Sequence, residues 1–95
     1  MAEIKWTATA SEDLHHIFLY IQLDAPNSAK DVINRILAHI ELISKQPLMG
    51  RKVTEVKDTN IRETLSGKYR IIYEVGPDII TLRTIIHGAR DFKHV

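Results

Sequence analysis

The feature that most constrains this chain is a change in the spacing of its apolar residues near position 60. Before that point, apolar side chains recur every three or four residues, over residues 14–21 and again over residues 29–43. After it, apolar and β-branched residues crowd three short segments, 61–65, 69–75 and 79–86. The first spacing is that of an amphipathic helix, and the second pattern is that of strands. Helices are therefore expected first and strands afterwards, which is the arrangement of an α+β domain.

Capping residues predict how the chain begins. Residues 3–6 alternate in part and predict a short strand. Thr9 or Ser11 is expected to cap the helix that follows, because either hydroxyl can accept a hydrogen bond from the first helical turn. Glu12 and Asp13 would then place negative charge in that first turn, where the helix dipole favours it.

Breaks and turns define the remaining elements. The first helix is expected to end near Asp24, and the second to run from about residue 27 to residue 46, before Pro47 prevents continuation. The short connection predicts an antiparallel helix hairpin. Turn residues at 66–68 and 76–78 separate the three later strands.

The predicted order is β-α-α-β-β-β, in a single domain spanning residues 1–95. The N-terminal helix hairpin is expected to pack on one face of an antiparallel sheet. The segments 69–75 and 79–86 are nearly continuous in apolar residues, which predicts a central place in the sheet for both. A chain of 95 residues holds one thin core, so a functional surface must lie close to structural residues.

Composition excludes several classes of protein. The absence of cysteine excludes disulfides, thiolate metal sites and a cysteine nucleophile, and it fits a reducing compartment, so a cytoplasmic location is expected. The longest apolar run, residues 17–21, is far shorter than the roughly 20 residues of a membrane helix, so no membrane partner is expected. Residues 1–50 carry four Lys/Arg and six Asp/Glu, whereas residues 51–95 carry nine and six. The basic second half suits an acidic segment or a phosphate backbone, although a solvated surface explains it equally well.

No pattern for a cofactor or a metal is present in the sequence. The glycines at positions 50, 67, 76 and 88 are isolated, so no phosphate-binding loop can be formed from them. The five histidines lack the spacing of metal ligands. No cofactor and no metal site are therefore expected.

Arg70 interrupts an otherwise apolar strand, which makes it the first candidate for a functional residue. A guanidinium in a sheet is costly unless it is paired or lies exposed in a groove. One interpretation is structural pairing, for instance with Glu63 across the hairpin. The other is binding of an anion.

A second candidate is the segment 86–91, Ile-His-Gly-Ala-Arg-Asp, which follows the last strand. Its His87, Gly88 and Arg90 are typical of a site at a strand end, although a tail with scattered charges is the plain alternative. Cleavage of RNA needs a general base, a general acid and cations. For such a reaction His87 and Glu63 could carry protons, and Arg62, Arg70 and Arg90 could supply the cations on one sheet surface.

Several short motifs, in this order and spacing, resemble those of the RelE/ParE toxin superfamily over nearly the whole length of the chain. They are Trp6 with Asp13-Leu14, Ile17 and Tyr20-Ile21 in the first helix, Pro47 with Gly50-Arg51, the segment 61–63, the segment 69–73 and the segment 85–91. The resemblance implies the toxin of a type II toxin–antitoxin module, often associated with plasmid stabilisation. It also implies a hetero-oligomer in which a flexible antitoxin segment covers the grooves beside the helix hairpin and the sheet.

The superfamily contains two main activities, and the resemblance favours one of them. RelE-like members cleave mRNA on the ribosome with a dense set of basic residues and a C-terminal tyrosine, whereas no tyrosine follows Tyr73 here. ParE-like members inhibit DNA gyrase, and the His-Gly-Ala-Arg-Asp ending is more typical of them. The expected protein is thus a gyrase-binding toxin that causes growth arrest and is not an enzyme, with Arg70, His87 and Arg90 on its target-binding surface. A ribosome-dependent endoribonuclease and an inactive antitoxin-binding relic are the alternatives.

Overall fold

The computed structural model describes residues 2–58 and 60–88 of the chain. Within these residues it has two α-helices, a short 3₁₀ turn and five strands. In chain order they are β1 (Glu3–Trp6), α1 (Ala8–Gln22), α2 (Pro26–Lys45), the 3₁₀ turn (Pro47–Met49), β2 (Arg51–Lys52), β3 (Ile61–Ser66), β4 (Tyr69–Val75) and β5 (Ile79–His87). The predicted α+β class is confirmed, and β2 is an additional strand that the predicted order lacks.

The five described strands form one sheet in the order β1-β5-β4-β3-β2. The expected antiparallel pairing is confirmed for β2 to β5. β1 instead pairs parallel with β5, from Glu3 opposite Ile79 to Trp6 opposite Leu82, so the sheet is mixed. β4 occupies the inner edge of β5, and β1 satisfies the backbone groups of its outer edge. The interior positions predicted for β4 and β5 are confirmed.

The helix hairpin packs on one face of the sheet, as predicted. The buried apolar side chains of α2 are spaced by three, four or seven residues, so they lie on one stripe of the helix. Ile36, Ile40 and Ile43 of this stripe pack in one cluster with side chains of the sheet that include Ile71 and Ile85. This cluster is the larger core of the domain within the described residues.

The opposite face of the sheet, which we call the distal face, carries a smaller apolar cluster. It joins Ile61, Ile72 and Ile86 from three strands to Val53, which lies in the segment between β2 and β3, and Val56 packs against it. Since β4 is covered on both faces, its residues 70–73 are all buried. Burial on both faces explains why the sequence of β4 is a nearly continuous apolar run and not an alternating one.

α1 begins earlier than the capping residues predicted. Its N-cap is Thr7, whose hydroxyl oxygen accepts a hydrogen bond from the Ala10 N–H at 3.0 Å. The prediction of Thr9 or Ser11 is wrong because both lie inside the helix. Glu12 and Asp13 consequently lie beyond the first turn.

Asp13 was expected to interact with the N-terminus of α1, but its carboxylate binds β5 instead. Its carboxylate accepts hydrogen bonds from the Thr84 hydroxyl and, at 3.0 Å, from the Ile85 N–H. Both donors lie on β5 beyond Leu82, where β1 no longer pairs with that strand. α1 therefore continues the cover of the outer edge of β5 that β1 begins. No helix within residues 2–58 and 60–88 is long and apolar enough to cross a bilayer.

Candidate functional site

A depression of about 440 Å³ lies on the distal face, where the β3–β4 turn meets the end of β5. We call it the distal depression. Gly67 in the turn has a φ of 58°, a left-handed conformation that favours glycine, and this tight turn places Lys68 at the rim. The charged and titratable lining residues are Arg51, Glu55, Glu63, Lys68, Arg70 and His87.

Arg70 lies at the floor of the distal depression and is 6% exposed. Its Nε donates to Glu63 Oε2 at 3.0 Å, and its Nη2 donates to the same oxygen. Its Nη1 and Nη2 donate to Glu55 Oε2 and Oε1 at 2.8 and 3.0 Å, in the two-pronged geometry that a guanidinium makes with a carboxylate. The pairing with Glu63 that the sequence suggested is present, and Glu55 is a second partner that the sequence did not reveal.

The ion pairs extend from Arg70 to the rim of the depression. Glu63 is buried on β3, and its Oε1 accepts from Arg51 Nε at 2.9 Å. Arg51, Glu63, Arg70 and Glu55 therefore form a chain of alternating charge, which we call the distal ion network. Hydrogen bonds that Arg70 donates to Glu55 and Glu63 raise the pKa of Arg70 against the opposing effect of burial. The two carboxylates therefore favour the charged form of the guanidinium.

His87 ends β5 and is exposed at the edge of the sheet. Its ring lies edge-on to the ring of Tyr69, with the ring centroids 6.0 Å apart. His87 lines the distal depression and also a groove of about 540 Å³ beside α1. A partner that binds across this end of the sheet would contact His87 from either side.

The structure does not bring Arg62 to the same surface as Arg70. Arg62 lies opposite Tyr73 in the β3–β4 pair, whereas Arg70 lies opposite Leu65, so the two arginines point to opposite faces of the sheet. Arg62 Nη1 donates to the Gly50 carbonyl oxygen at 2.8 Å. The expected cluster of Arg62, Arg70, His87 and Arg90 is therefore wrong in its Arg62 member. Arg90 lies outside the described residues.

A second feature, on the helix side of the molecule, is the exposed Tyr20 with the grooves beside it. Tyr20 near the end of α1 is 76% exposed and stands between two grooves. One groove, of about 440 Å³, reaches Val32 and Arg35 of α2 and Lys68 of the β3–β4 turn. The other is the 540 Å³ groove that ends at His87. The helix pattern at residues 14–21 could have indicated this exposure, because Tyr20 lies outside the apolar stripe that positions 14, 17, 18 and 21 form.

Metal binding finds no support in the described part of the chain. Residues 2–58 and 60–88 contain no group of three histidine, cysteine or acidic side chains placed to hold an ion. The carboxylates of the distal ion network are already occupied by arginines.

Solved structures of other proteins share this fold. A chain of the chromosomal ParDE toxin–antitoxin system from P. aeruginosa superposes with a TM-score of 0.77 at 18% identity, covering 92% of this chain and 96% of that one. A chain of the RelBE2 toxin–antitoxin complex from Mycobacterium tuberculosis gives a TM-score of 0.62 at 19% identity, covering 90% and 96%. The architecture is thus that of the RelE/ParE superfamily.

Sequence comparison then assigns the family. Residues 4–92 match the family model described as the ParE toxin of the type II toxin–antitoxin system parDE. The protein Y4kP of Sinorhizobium fredii (strain NBRC 101917 / NGR234), provisionally named a toxin, is 29% identical over 92 residues, which cover 97% of this chain and 94% of that protein. The chain belongs to the ParE toxin family and is a toxin of a type II toxin–antitoxin system.

Proposed function

We propose that this toxin acts by binding DNA gyrase and not by cleaving RNA. The observation that carries the proposal is the distal ion network, which pairs Arg70 and Glu63, the cation and the proton carrier that the sequence offered to a nuclease, with each other. Membership of the ParE family supports the same target. In this proposal His87 contacts the target, and the buried Arg70 stabilises the contact surface through its ion pairs. Contact of Arg90 with the target stays a prediction from sequence, because Arg90 lies outside the described residues.

The geometry of Glu63 weakens the nuclease interpretation in particular. A general base must reach the proton that it abstracts. Glu63 is 4% exposed and its two oxygens accept from Arg51 and Arg70. Its carboxylate is therefore held away from a substrate, and Arg70 is neutralised by two carboxylates instead of facing a phosphate.

A gyrase assay tests the proposal. The purified toxin, free of antitoxin, is expected to inhibit supercoiling and to trap the cleavage complex at micromolar concentration. His87→Ala and Lys68→Glu alter the rim of the distal depression and are expected to weaken inhibition about tenfold, as loss of a buried or charged interface contact does. Lys30→Glu makes the same charge change at an exposed residue of α2. It is the control and should leave the inhibition of gyrase unchanged. Absence of any effect of the wild-type protein on gyrase would refute the proposal.

A second candidate function is ribosome-dependent cleavage of mRNA, with Arg51 and Lys68 holding phosphates and His87 moving the proton. The exposure of these three residues around one depression favours it. Primer extension on translated mRNA after induction separates the candidates. Cuts in the ribosomal A site that disappear with His87→Ala, while gyrase remains active, would support this function over the first.

We propose further that the cognate antitoxin covers Tyr20 and its two grooves. Arg35 and Lys68 flank the first groove, so an amphipathic segment with apolar anchors and acidic neighbours fits it by charge. Tyr20→Ala is expected to weaken binding of the purified antitoxin about tenfold or more, measured by calorimetry, because an exposed tyrosine between grooves suits a binding hot spot. Leu42→Ala, at an exposed leucine on α2, is the matched control. Equal affinities for the two variants would place the antitoxin elsewhere.

The proposal of an active toxin has its own test. Expression of the chain alone is expected to arrest growth, and coexpression of the neighbouring gene product to restore it. Normal growth during expression of folded protein would favour the inactive, antitoxin-binding relic.

A further inference from the structure

We infer that the 3₁₀ turn between α2 and β2 is a second target-binding element, whose Leu48 and Met49 dock on an apolar surface of the target that acidic side chains surround. The inference rests on the proposed function, because it takes the target to be a protein and not RNA. It extends that function by naming the chemistry of the surface that the target must offer. Exposure, rigidity, charge and position of the turn carry it in turn.

Leu48 and Met49 are consecutive apolar residues that the fold leaves in solvent. Leu48 is 66% exposed and Met49 is 40% exposed. Neither belongs to the two apolar clusters of the described residues. Single exposed apolar residues are ordinary on a protein surface, whereas two adjacent ones on a short turn form a contiguous apolar patch. Burying such a patch against an apolar partner surface is favourable.

Two side chains of the sheet fix the backbone of the turn. The Tyr73 hydroxyl donates to the Pro47 carbonyl oxygen at 2.8 Å and accepts from the Gly50 N–H at 2.9 Å. Arg62 Nη1 donates to the Gly50 carbonyl oxygen at 2.8 Å. The start and the end of the turn are therefore both bound to the sheet. A contact element that is already ordered loses little conformational entropy on binding, which favours affinity.

The surroundings of the two apolar residues are basic. Residues 45–52 contain the exposed cations Lys45, Arg51 and Lys52 and no acidic residue. Two of these cations contact one glutamate each, so three cations and two carboxylates leave a formal charge of +1. An apolar centre with a basic rim is complementary to a protein surface with an apolar centre and an acidic rim. A phosphate backbone would match the cations but would leave the apolar patch without a partner.

The turn is continuous with the surface proposed above to contact the target. Arg51 follows Met49 by two residues and lines the distal depression. Leu65, an exposed apolar residue of β3, lines the same depression. Arg51 thus connects the depression to the turn, and one partner protein can cover both.

The test measures binding of the purified toxin, free of antitoxin, to purified gyrase by surface plasmon resonance, which separates association from dissociation. The double variant Leu48→Ser, Met49→Ser is expected to dissociate about tenfold faster than the wild type, because it lacks the apolar anchors. Leu37→Ser is the control and should bind like the wild type. Leu37 lies on α2 and is 41% exposed, which matches Met49.

The basic rim has a separate readout in the same experiment. Lys52→Glu is expected to slow association several-fold, because a charge at the rim acts mainly on the encounter of the two proteins. The difference from the wild type should shrink at high salt, which screens exposed charges. An association rate that Lys52→Glu leaves unchanged would overturn the acidic rim on the target.

The outcomes separate this inference from the proposed function. A wild-type protein that neither binds nor inhibits gyrase overturns both. A wild-type protein that binds, together with a folded double variant that dissociates at the same rate, overturns the inference alone. An equal loss in Leu37→Ser overturns it as well, because any exposed leucine would then contribute. Should the double variant fail to fold, Leu48→Ser and Met49→Ser decide singly in the same way.

Discussion

At the scale of single residues, Arg70 differs from the exposed charges because its guanidinium is buried. It is buried on β4 with a carboxylate on either side. Removing one member of a buried ion pair leaves the other members charged in a medium that solvates them poorly. Loss of activity in an Arg70 variant would therefore reflect a damaged fold as readily as a lost target contact.

Arg70→Ala is expected to lower the free energy of unfolding by about 3–5 kcal/mol, because Glu55 and Glu63 would face each other without their shared cation. Urea denaturation followed by circular dichroism measures the loss. The matched variant is Arg83→Ala, which breaks the part-exposed pair with Glu74 and should cost about 0–1 kcal/mol. A similar loss in both variants would contradict the structural role of Arg70.

Tyr73 provides a second residue-level prediction, on the dependence of stability on pH. Its side chain is fully buried, its hydroxyl donates to the Pro47 carbonyl oxygen at 2.8 Å, and it accepts from the Gly50 N–H at 2.9 Å. Burial raises the pKa of Tyr73 above its ordinary value of 10.0. The unfolded chain loses this proton near pH 10 while the folded chain keeps it, so the free energy of unfolding should fall above that pH.

Tyr73→Phe should flatten this alkaline loss of stability, and at neutral pH it should cost about 1–3 kcal/mol, because two buried backbone groups lose their partner. Denaturation midpoints between about pH 9 and pH 11 measure both effects. Tyr20→Phe changes an exposed tyrosine and is the control. An alkaline slope that is identical in the two variants would show that Tyr73 does not contribute to it.

At the scale of elements, Thr7 joins three of them. It follows the last residue of β1, caps α1 through the Ala10 N–H, and its hydroxyl donates to the Leu82 carbonyl oxygen on β5 at 2.7 Å. Thr7→Ala should therefore lower the free energy of unfolding by about 1–2 kcal/mol. Thr7→Ser keeps the hydroxyl and should restore most of the loss. Thr9→Ala lies inside the helix and should cost nearly nothing, so an equal loss there would contradict the assignment of the cap.

The elements themselves were largely predictable from sequence, since apolar spacing reports burial. The helix stripes and the last three strands follow from the pattern of residues 14–43 and 61–86. The cap at Thr7 was not predictable, because Thr7, Thr9 and Ser11 have nearly equal capping chemistry and the choice depends on where β1 ends. The parallel partner of β1 was also hidden, since four residues carry no information about which sheet edge they join.

At the scale of the whole molecule, the described residues form unequal layers on the two sides of the sheet. The helix side buries the larger cluster, and the distal side is closed by one segment anchored at Val53 and Val56. Regions with few buried contacts open at lower free energy than the rest. The distal segment is therefore expected to open without the unfolding of the sheet.

Hydrogen exchange can test this expectation. Amides of β4, covered on both faces, should exchange at least about 100-fold more slowly than the amide of Val56, whose hydrogen bond is 3.4 Å long. Val53→Ala should accelerate exchange over residues 53–58 and leave β4 nearly unchanged. Leu19→Ala, at a partly exposed leucine on α1, is the control. Uniform protection of both regions would show that the molecule opens only as a unit.

The candidate site could be predicted only in part, because some of its contacts are made only by the tertiary fold. An arginine within an apolar strand needs a counter-ion, and Glu63 lies on the other strand of the same hairpin. The pair could therefore be predicted from the local sequence. Glu55 lies 15 residues from Arg70, in a segment without periodicity, and only the tertiary fold brings them together. Arg62 was assigned to the wrong face because the relative registry of β3 and β4 depends on the turn at Gly67.

The partnership of β1 with β5 affects the order in which the molecule is made. Glu3 is synthesised among the first residues, yet its ladder neighbour is Ile79. During most of translation β1 has no strand to pair with, and the helix hairpin has no complete sheet to pack on. Pairings between such distant positions are slow to form because a long stretch of chain must be closed first. A nascent copy therefore lacks this pairing until β5 has been synthesised.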